Sequence, residues 1–345
     1  MLNEKKHSVK TNLNHFISLL VLFISYCVSA QNDENLIDSL DIKQNFIFSY
    51  DDYIAGRVSF VNQANRFRIY SPREFDKIIT LSTSQVLRLD LSSSFRFIDI
   101  TIRFSPNFKS TNYEKSKVKT SFFNLGTRFY LNNWMQNFQF TRTKGFYADF
   151  SKIDSNNIEN LNFPDLILIK LVGNTSYVLN PNFSFRSIFK QNESQVKSVG
   201  SFVFSLSYNY TKLFQNKLEN DTTLNATIGT SYFYNWVIAR NFLTSFGIRM
   251  GIGYHTTCFE LVENQQSVKY NGLSLESELN INLGYNSKKI YTGILFNIQS
   301  FRNSLNSNFR IDDEHQFLEF YLGYRFKAPK KLIKIADKFE EKLRL

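Results

Sequence analysis

The stretch LESELNINLGY, residues 275–285, is the clearest indication of the fold in this sequence. Its odd-numbered positions are apolar at all but one place, whereas its even-numbered positions hold two glutamates, two asparagines and a glycine. Successive side chains of a β-strand point to opposite faces, so an alternation of period two predicts a strand with one apolar and one polar face. Segments 98–104, 200–210 and 319–326 repeat the pattern.

The number and length of such segments predict the architecture. Most are longer than the five or six residues usual in soluble sheets, which favours tilted strands that cross a membrane. We therefore predict an all-β fold, an antiparallel up-and-down transmembrane β-barrel of about 12 strands (roughly 10–14). The predicted strands are residues 57–71, 78–95, 97–105, 117–131, 134–148, 164–180, 196–210, 223–238, 241–257, 268–285, 288–302 and 312–326.

The connections predict how the strands are oriented. Outer-membrane barrels have short periplasmic turns and longer external loops, so the alternation of tight turns with polar connections predicts that both termini are periplasmic. The longer connections are predicted at residues 106–116, 149–163, 211–222, 258–267 and 303–311. Residues 181–195 break this alternation, because a further strand there would make thirteen. We interpret them as a non-spanning element, on the periplasmic side or in the lumen.

The first thirty residues predict export. Lys5, Lys6 and Lys10 precede an uncharged apolar run over residues 16–28, which is too short to span a bilayer. Val28-Ser29-Ala30 has the small-residue pattern of a signal peptidase site, so residues 1–30 are predicted to be a cleaved signal peptide.

The remaining chain is predicted to have three parts. Residues 31–56 form a periplasmic N-terminal segment, residues 57–326 form the barrel, and residues 327–345 form a basic tail with apolar residues at helical spacing. The predicted location is the cell outer membrane of a Gram-negative bacterium.

Composition and charge narrow the class of partner. The chain has 36 Phe and 18 Tyr against 5 Pro, a balance that favours pleated sheet. Cys258 is the one cysteine beyond the signal peptide, so no internal disulfide is expected. The net charge of +11 is not clustered with stacking aromatic residues, which argues against nucleic acid. The expected partners are outer-membrane lipid, lipopolysaccharide and the barrel assembly machinery, and a periplasmic partner is left open.

Three blocks of sequence are more specific than periodicity. The central block comprises residues 175–180, 183–187 and 191–202, and the others are Lys144-Gly145-Phe146-Tyr147 and Leu283-Gly284-Tyr285-Asn286. Together they resemble domain-of-unknown-function family 4421 over roughly residues 50–326. The resemblance implies an exported outer-membrane barrel with no assigned activity. The polar residues of the central block and its surroundings are candidates for a structural clamp or a binding site: Arg186, Lys190, Gln191, Glu193, Gln195, Lys197, Ser198 and Gly200.

The sequence offers few residues for catalysis. Beyond the signal peptide its histidines are His255 and His315, and only His315 lies beside acids, in the run Asp312-Asp313-Glu314. A hydrolase needs a histidine oriented by a polar partner, so an enzyme at the external rim is the alternative interpretation. We predict no catalytic residue, no cofactor and no metal site, since two distant histidines make a poor zinc site.

The leading hypothesis for the function rests on the charged residues predicted on the inward face. They either line a pore that selects solutes by charge or form a salt-bridged filling that makes the barrel rigid, and the sequence leaves both open. The predicted function is a narrow solute channel or a structural and interaction component of the outer membrane. The residues predicted to line the lumen are Asp99, Arg103, Arg249, Glu276, Glu278, Glu319 and Arg325.

Overall fold

The computed structural model describes residues 46–71, 77–83, 87–106, 118–149, 161–215, 219–261, 266–306 and 309–343. Two short elements lie before and between the long strands: β1 (Ile47–Ser49) and β9 (Glu193–Gln195). The long strands are β2 (Tyr53–Ser71), β3 (Lys77–Ser82), β4 (Leu87–Phe95), β5 (Ile98–Phe104), β6 (Ser121–Leu131), β7 (Trp134–Asp149), β8 (Leu161–Val178), β10 (Val199–Gln215), β11 (Glu219–Ala239), β12 (Phe242–Leu261), β13 (Gln266–Asn286), β14 (Ile290–Asn306) and β15 (Phe309–Lys327). The helices are α1 (Arg186–Phe189) and α2 (Lys330–Leu343).

The long strands close into a barrel. Each pairs antiparallel with its neighbours, and β15 returns to β2 in a register that runs from Lys327↔Tyr53 to Arg310↔Tyr70. Both β3 and β4 pair with β2 and are two halves of one wall strand. The predicted antiparallel barrel of 12 strands with a C-terminal helix is therefore confirmed.

The sequence predicted one strand over residues 78–95, whereas the structure divides it into β3 and β4. Strand β5 has only seven residues, so the outer half of its neighbour has no partner in β5. There β3 pairs with β7 instead, from Thr80↔Asp149 to Ser82↔Tyr147. Backbone groups in a membrane wall need hydrogen-bond partners. Beyond the end of the short β5–β6 hairpin, the pairing of β3 with β7 supplies them.

Several predicted boundaries are wrong. Residues 53–56, assigned to the N-terminal segment, belong to β2 because they pair with the last residues of β15. The connections predicted at 211–222, 258–267 and 303–311 are largely strand, because polar residues there continue the hairpin ladders. The predicted signal peptide lies outside the described residues. Most residues of the predicted connections at 106–116 and 149–163 also lie outside them.

The wall has an apolar outer and a polar inner face. On β11, Ile228 is 71% exposed, whereas its neighbour Thr227 is 1% exposed and faces the interior. The large apolar side chains on the outside include Phe60, Leu91, Ile100, Ile102, Phe204, Leu206, Ile248, Met250, Ile252, Leu283, Phe320 and Leu322. This distribution is that of a transmembrane barrel, in which lipid covers the outer band.

Within the described ranges, no helix is both long and apolar enough to cross a bilayer.

Residues 179–198, which we call the plug, connect β8 to β10 at the end of the barrel that carries the short turns. They contain α1 and β9, neither of which joins the wall. Strand β9 pairs instead with β1, just before the first wall strand. The segment predicted as a non-spanning element, 181–195, thus contains both small elements and lies within the plug.

Candidate functional site

The plug is held first by polar side chains of the wall. Asn235 of β11 donates its amide hydrogens to the Ser184 carbonyl oxygen and to Gln195 Oε1, both at 3.1 Å. On the opposite side, Arg57 Nη1 of β2 donates to the Phe189 carbonyl oxygen at 2.6 Å. Side chains from separate parts of the barrel thereby bind backbone oxygens of the short helix α1 and its flanks that take part in no backbone ladder.

The plug also donates to the wall. Lys190 Nζ donates to Thr101 Oγ1 at 2.6 Å, and Asn192 Nδ2 donates to the Arg96 carbonyl oxygen at 2.8 Å. Gln191, whose φ of 54° is in the left-handed region, donates through its side chain to Tyr321 Oη. Buried polar groups need such partners, so the polar residues of the plug fix its position as well as its fold.

Arg325 ties the plug to the closing strand. Its guanidinium lies between the rings of Tyr50, at 3.7 Å from the ring centroid, and Tyr291, at 4.7 Å. It donates to the Gln191 carbonyl oxygen and, at 2.5 Å, to Asn286 Oδ1. The arginine therefore binds the plug through planar hydrogen bonding and ring contact together, which an ammonium group cannot reproduce.

An apolar cluster supports the same segment. Phe183, Phe185 and Ile188 of the plug are buried against inward-facing wall residues. Phe233 is central to the contact, with its ring centroid 4.8 Å from that of Phe185. The other wall residues in the cluster are Tyr130, Met135, Val178 and Val203. Sequence reasoning did not select these residues, because alternation shows which face they share but not what lies opposite.

Beyond the plug, ion pairs line one side of the lumen. Arg57 Nη2 lies 2.5 Å from Glu319 Oε1, and Arg103 Nη2 lies 2.7 Å from Asp90 Oδ2 and 3.6 Å from Glu319 Oε2. Arg103 and Glu319 were both predicted to face inward. Together these groups form a chain of alternating charge between strands β2, β4, β5 and β15.

Two further groups of charges lie around the wall. Arg249 Nη2 is 3.4 Å from Glu276 Oε2, with Glu278 at the edge of contact at 4.0 Å. Asp99, near the plug, is 3.8 Å from the Arg128 guanidinium. The seven residues predicted to line the lumen are thus all in inward-facing ion pairs or, for Arg325, in contact with the plug.

A cavity of about 290 Å³ lies among these charges. Phe185, Phe189 and Lys190 of the plug line one part of it, and Lys170 and Asp313 line another. Its wall presents cations and anions in similar number, so a solute inside would meet both signs of charge.

The family model described as Domain of unknown function (DUF4421) matches residues 37–326. The chain belongs to this family. No curated protein matches it. Among solved structures, the outer membrane protease OmpT from Escherichia coli has 8% identity and a TM-score of 0.33, covering 80% of this chain and 97% of that chain.

Two other solved structures give similar values. An outer membrane channel from Pseudomonas putida F1 has 11% identity and a TM-score of 0.37, covering 80% of this chain and 96% of that one. The translocator domain of the autotransporter NalP from Neisseria meningitidis has 10% identity and a TM-score of 0.37, covering 79% and 88%. Likenesses at this level assign no activity to a DUF4421 barrel.

Within the family block, the polar residues divide into two groups. Arg186 pairs with Glu193 at 2.7 Å inside the plug, and both lie with Lys190, Gln191 and Gln195 in the network that fixes it. Lys197, Ser198 and Gly200 lie at its exit: Lys197 Nζ is over the Phe46 ring, and Ser198 Oγ accepts from the Val237 amide at 2.9 Å. Gly200 leaves room for Tyr232.

The acidic run beside His315 does not form a cluster in this DUF4421 barrel. Asp312 lies 3.8 Å from Arg302, Asp313 lies 2.7 Å from Lys170, and Glu314 lies 2.7 Å from Arg68. His315 contacts the side-chain amide of Gln63, and His255 lies on β12. Each acid is thus engaged by a different cation, and among the described residues no group of three potential metal ligands is found.

Proposed function

We propose that this protein is a gated channel of the outer membrane for small charged solutes, with the plug closing its periplasmic mouth. The observation that supports it is the cavity, which ends on Phe185, Phe189 and Lys190 of the plug. A lumen with charged walls is suited to polar solutes, because it replaces part of their hydration.

The way in which the plug is held fits a gate. Its wall contacts are noncovalent: hydrogen bonds worth about 1 kcal/mol net each, and the burial of Phe183, Phe185 and Ile188, worth about 1.5–3 kcal/mol each. Cys258 lies on β12, outside the plug. Contacts of this kind keep the plug seated in most molecules. A solute or partner that binds the unseated state more tightly shifts the equilibrium between the seated and the unseated plug.

A shortened chain tests the channel directly. The Leu179 amide donates to the Phe202 carbonyl oxygen at 3.0 Å, so β8 and β10 already run side by side where the plug leaves the wall. Replacing residues 181–200 with Asn-Gly should therefore give a plain hairpin. In planar bilayers we expect steady conductance from this variant and rare openings from the full chain. A folded variant, judged by its heat-modifiable gel mobility, that conducts no ions would refute the channel and leave a structural or interaction role.

A reversible lock tests the gate itself. Ser187 Oγ and Asn235 Nδ2 are 3.3 Å apart, so cysteines at both positions, in a Cys258→Ser background, should join the plug to the wall. Openings should vanish on oxidation and return on reduction. The single Ser187→Cys variant is the control, and openings that persist in the oxidised double variant would mean that solutes bypass the plug.

A further inference from the structure

Helix α2 has an apolar row that the barrel leaves about half exposed. Ile335, Phe339 and Leu343 recur every four residues and are 59%, 55% and 47% exposed. Residues at this spacing lie on one face of a helix. Such a row is costly in water, because apolar surface is more stable when it is removed from water. A helix gains most of its stability by burying such a face.

The acidic side of α2 is fixed to the barrel. Arg96, in the β4–β5 turn, pairs with Asp337 at 2.7 Å and with Glu340 at 2.5 Å. The ring of Phe97 stacks on Phe339 with centroids 6.3 Å apart, and Ala336 is buried. These contacts set the rotation of the helix about its own axis, so the exposed row cannot turn inward without breaking them.

A second row runs beside the apolar one. Lys334, Lys338 and Lys342 each directly precede a residue of the apolar row and are all exposed. One residue corresponds to about 100° of rotation, so the lysines flank the apolar row on the side away from the Arg96 contacts. Glu341 and Asp337 are both exposed acids of this region, but Asp337, like Glu340, pairs with Arg96.

The aromatic rim of the barrel lies at the same end. Trp134, Trp236 and Phe326 are each more than half exposed and lie near strand ends on the side of the barrel that carries the short turns. Exposed aromatic residues at this level mark the boundary between acyl chains and headgroups. Helix α2 starts four residues after Phe326, so it begins at the depth of the lipid headgroups.

We propose that α2 lies in the periplasmic leaflet and binds anionic phospholipid. The apolar row enters the headgroup–acyl boundary, while Lys334, Lys338 and Lys342 contact the lipid phosphates. An amphipathic helix with a basic flank binds such a surface through buried apolar area and through electrostatic attraction between its lysines and the anionic headgroups. The interaction does not depend on whether the plug opens.

The depth of Phe339 in the bilayer tests the proposal. In a full-length chain with Trp134 and Trp236 changed to Phe, the Phe339→Trp variant carries a single tryptophan. In proteoliposomes we expect phospholipids brominated near the headgroup to quench its fluorescence, more strongly when phosphatidylglycerol is added. High salt should reduce this gain, because it screens the lysines.

The lysines are tested by a matched pair of variants. Changing Lys334, Lys338 and Lys342 to Gln should abolish the gain from phosphatidylglycerol while leaving basal quenching by phosphatidylcholine. Changing Lys119 and Lys269 to Gln should leave the gain from phosphatidylglycerol intact, because these exposed lysines lie at the other end of the barrel. Fluorescence of the Phe339→Trp variant that is quenched by aqueous iodide and unaffected by brominated lipid in every mixture would overturn the proposal and point to a periplasmic protein as the occupant of this face.

Discussion

The wall and the plug of this barrel are held by different interactions. The wall is a continuous ladder of backbone hydrogen bonds, such as the 20 residue pairs between β12 and β13 from Phe242↔Tyr285 to Leu261↔Gln266. The plug has only the short β1–β9 ladder and otherwise depends on particular side chains, among them Arg57, Asn235 and Arg325. Substitutions should therefore affect the two regions differently: the wall tolerates a change of side chain on its outer face, whereas the plug does not tolerate the loss of its partners.

The largest effect is expected at a wall ion pair whose arginine also binds the plug. Arg57→Met removes the hydrogen bond to the Phe189 carbonyl oxygen and the closer partner of buried Glu319, which is left with Arg103 at 3.6 Å; breaking a buried pair costs about 3–5 kcal/mol. Urea unfolding followed by gel mobility should show this loss. The double variant Arg57→Met/Glu319→Leu should recover part of it, and Phe60→Leu on the outer face is the control. Equal loss in the single and double variants would show that the ion pair is not the cause.

A smaller effect, confined to the plug, is expected for Asn235→Ala. The variant loses the hydrogen bonds to Ser184 and Gln195, so channel openings should become roughly tenfold more frequent while the unfolding of the barrel changes little. Asn225→Ala is the matched control, since Asn225 is also on β11 and faces inward but bonds to Ser274. Similar behaviour of the two variants would contradict a specific role for Asn235.

The seating of the plug should also depend on pH. Burial, together with the neighbouring Arg57 guanidinium, lowers the pKa of the Lys190 ammonium to about 8, although Asp99, Asp90 and Glu319 oppose the shift. An unseated plug returns this lysine to water and to its usual, higher pKa. The unseated state then binds more protons above pH 8, so raising the pH should favour the seated plug and make openings rarer. The pH profile of Lys190→Met should be flat, and a profile as steep as that of the original chain would assign the titration to another group.

The smallest effect is expected for Glu278→Gln, which lies at the cavity wall with Arg249 at 4.0 Å. A partly exposed pair contributes little to stability, so unfolding should not change measurably. In the variant with residues 181–200 replaced, reversal potentials should shift toward anions, by about a factor of two in permeability ratio at most. An unchanged reversal potential would mean that Glu278 does not face the solute path.

The contrast between wall and plug also explains what the sequence could predict. Alternation along a strand such as 275–285 is a local signal, and it is enough to predict the barrel, its strand number and its inward charges. The plug contacts join residues far apart in the chain: Arg57 bonds to Phe189, and Gln191 bonds to Tyr321. Most inward positions of a barrel are polar in any case, so Asn235 gave no signal that distinguished it from Asn225.

Two features of the wall were beyond sequence reasoning for a similar reason. The pairing of β3 with β7 depends on where β5 ends, and no residue of β3 reports the length of β5. The acids beside His315 looked like one group, yet their partners Arg68, Lys170 and Arg302 come from three different strands. Proximity in sequence was misleading there because each acid binds a separate neighbour.

Arg96 sets an order on assembly. Its φ of 48° is unfavourable for a residue with a side chain, and its contacts come from three distant segments: Asp51, Asn192 and helix α2. Helix α2 follows β15, so it reaches Arg96 only after β15 has met β2. The β4–β5 turn is therefore completed by helix α2, which follows the last strand, and a nascent barrel that has not closed lacks one support of its plug.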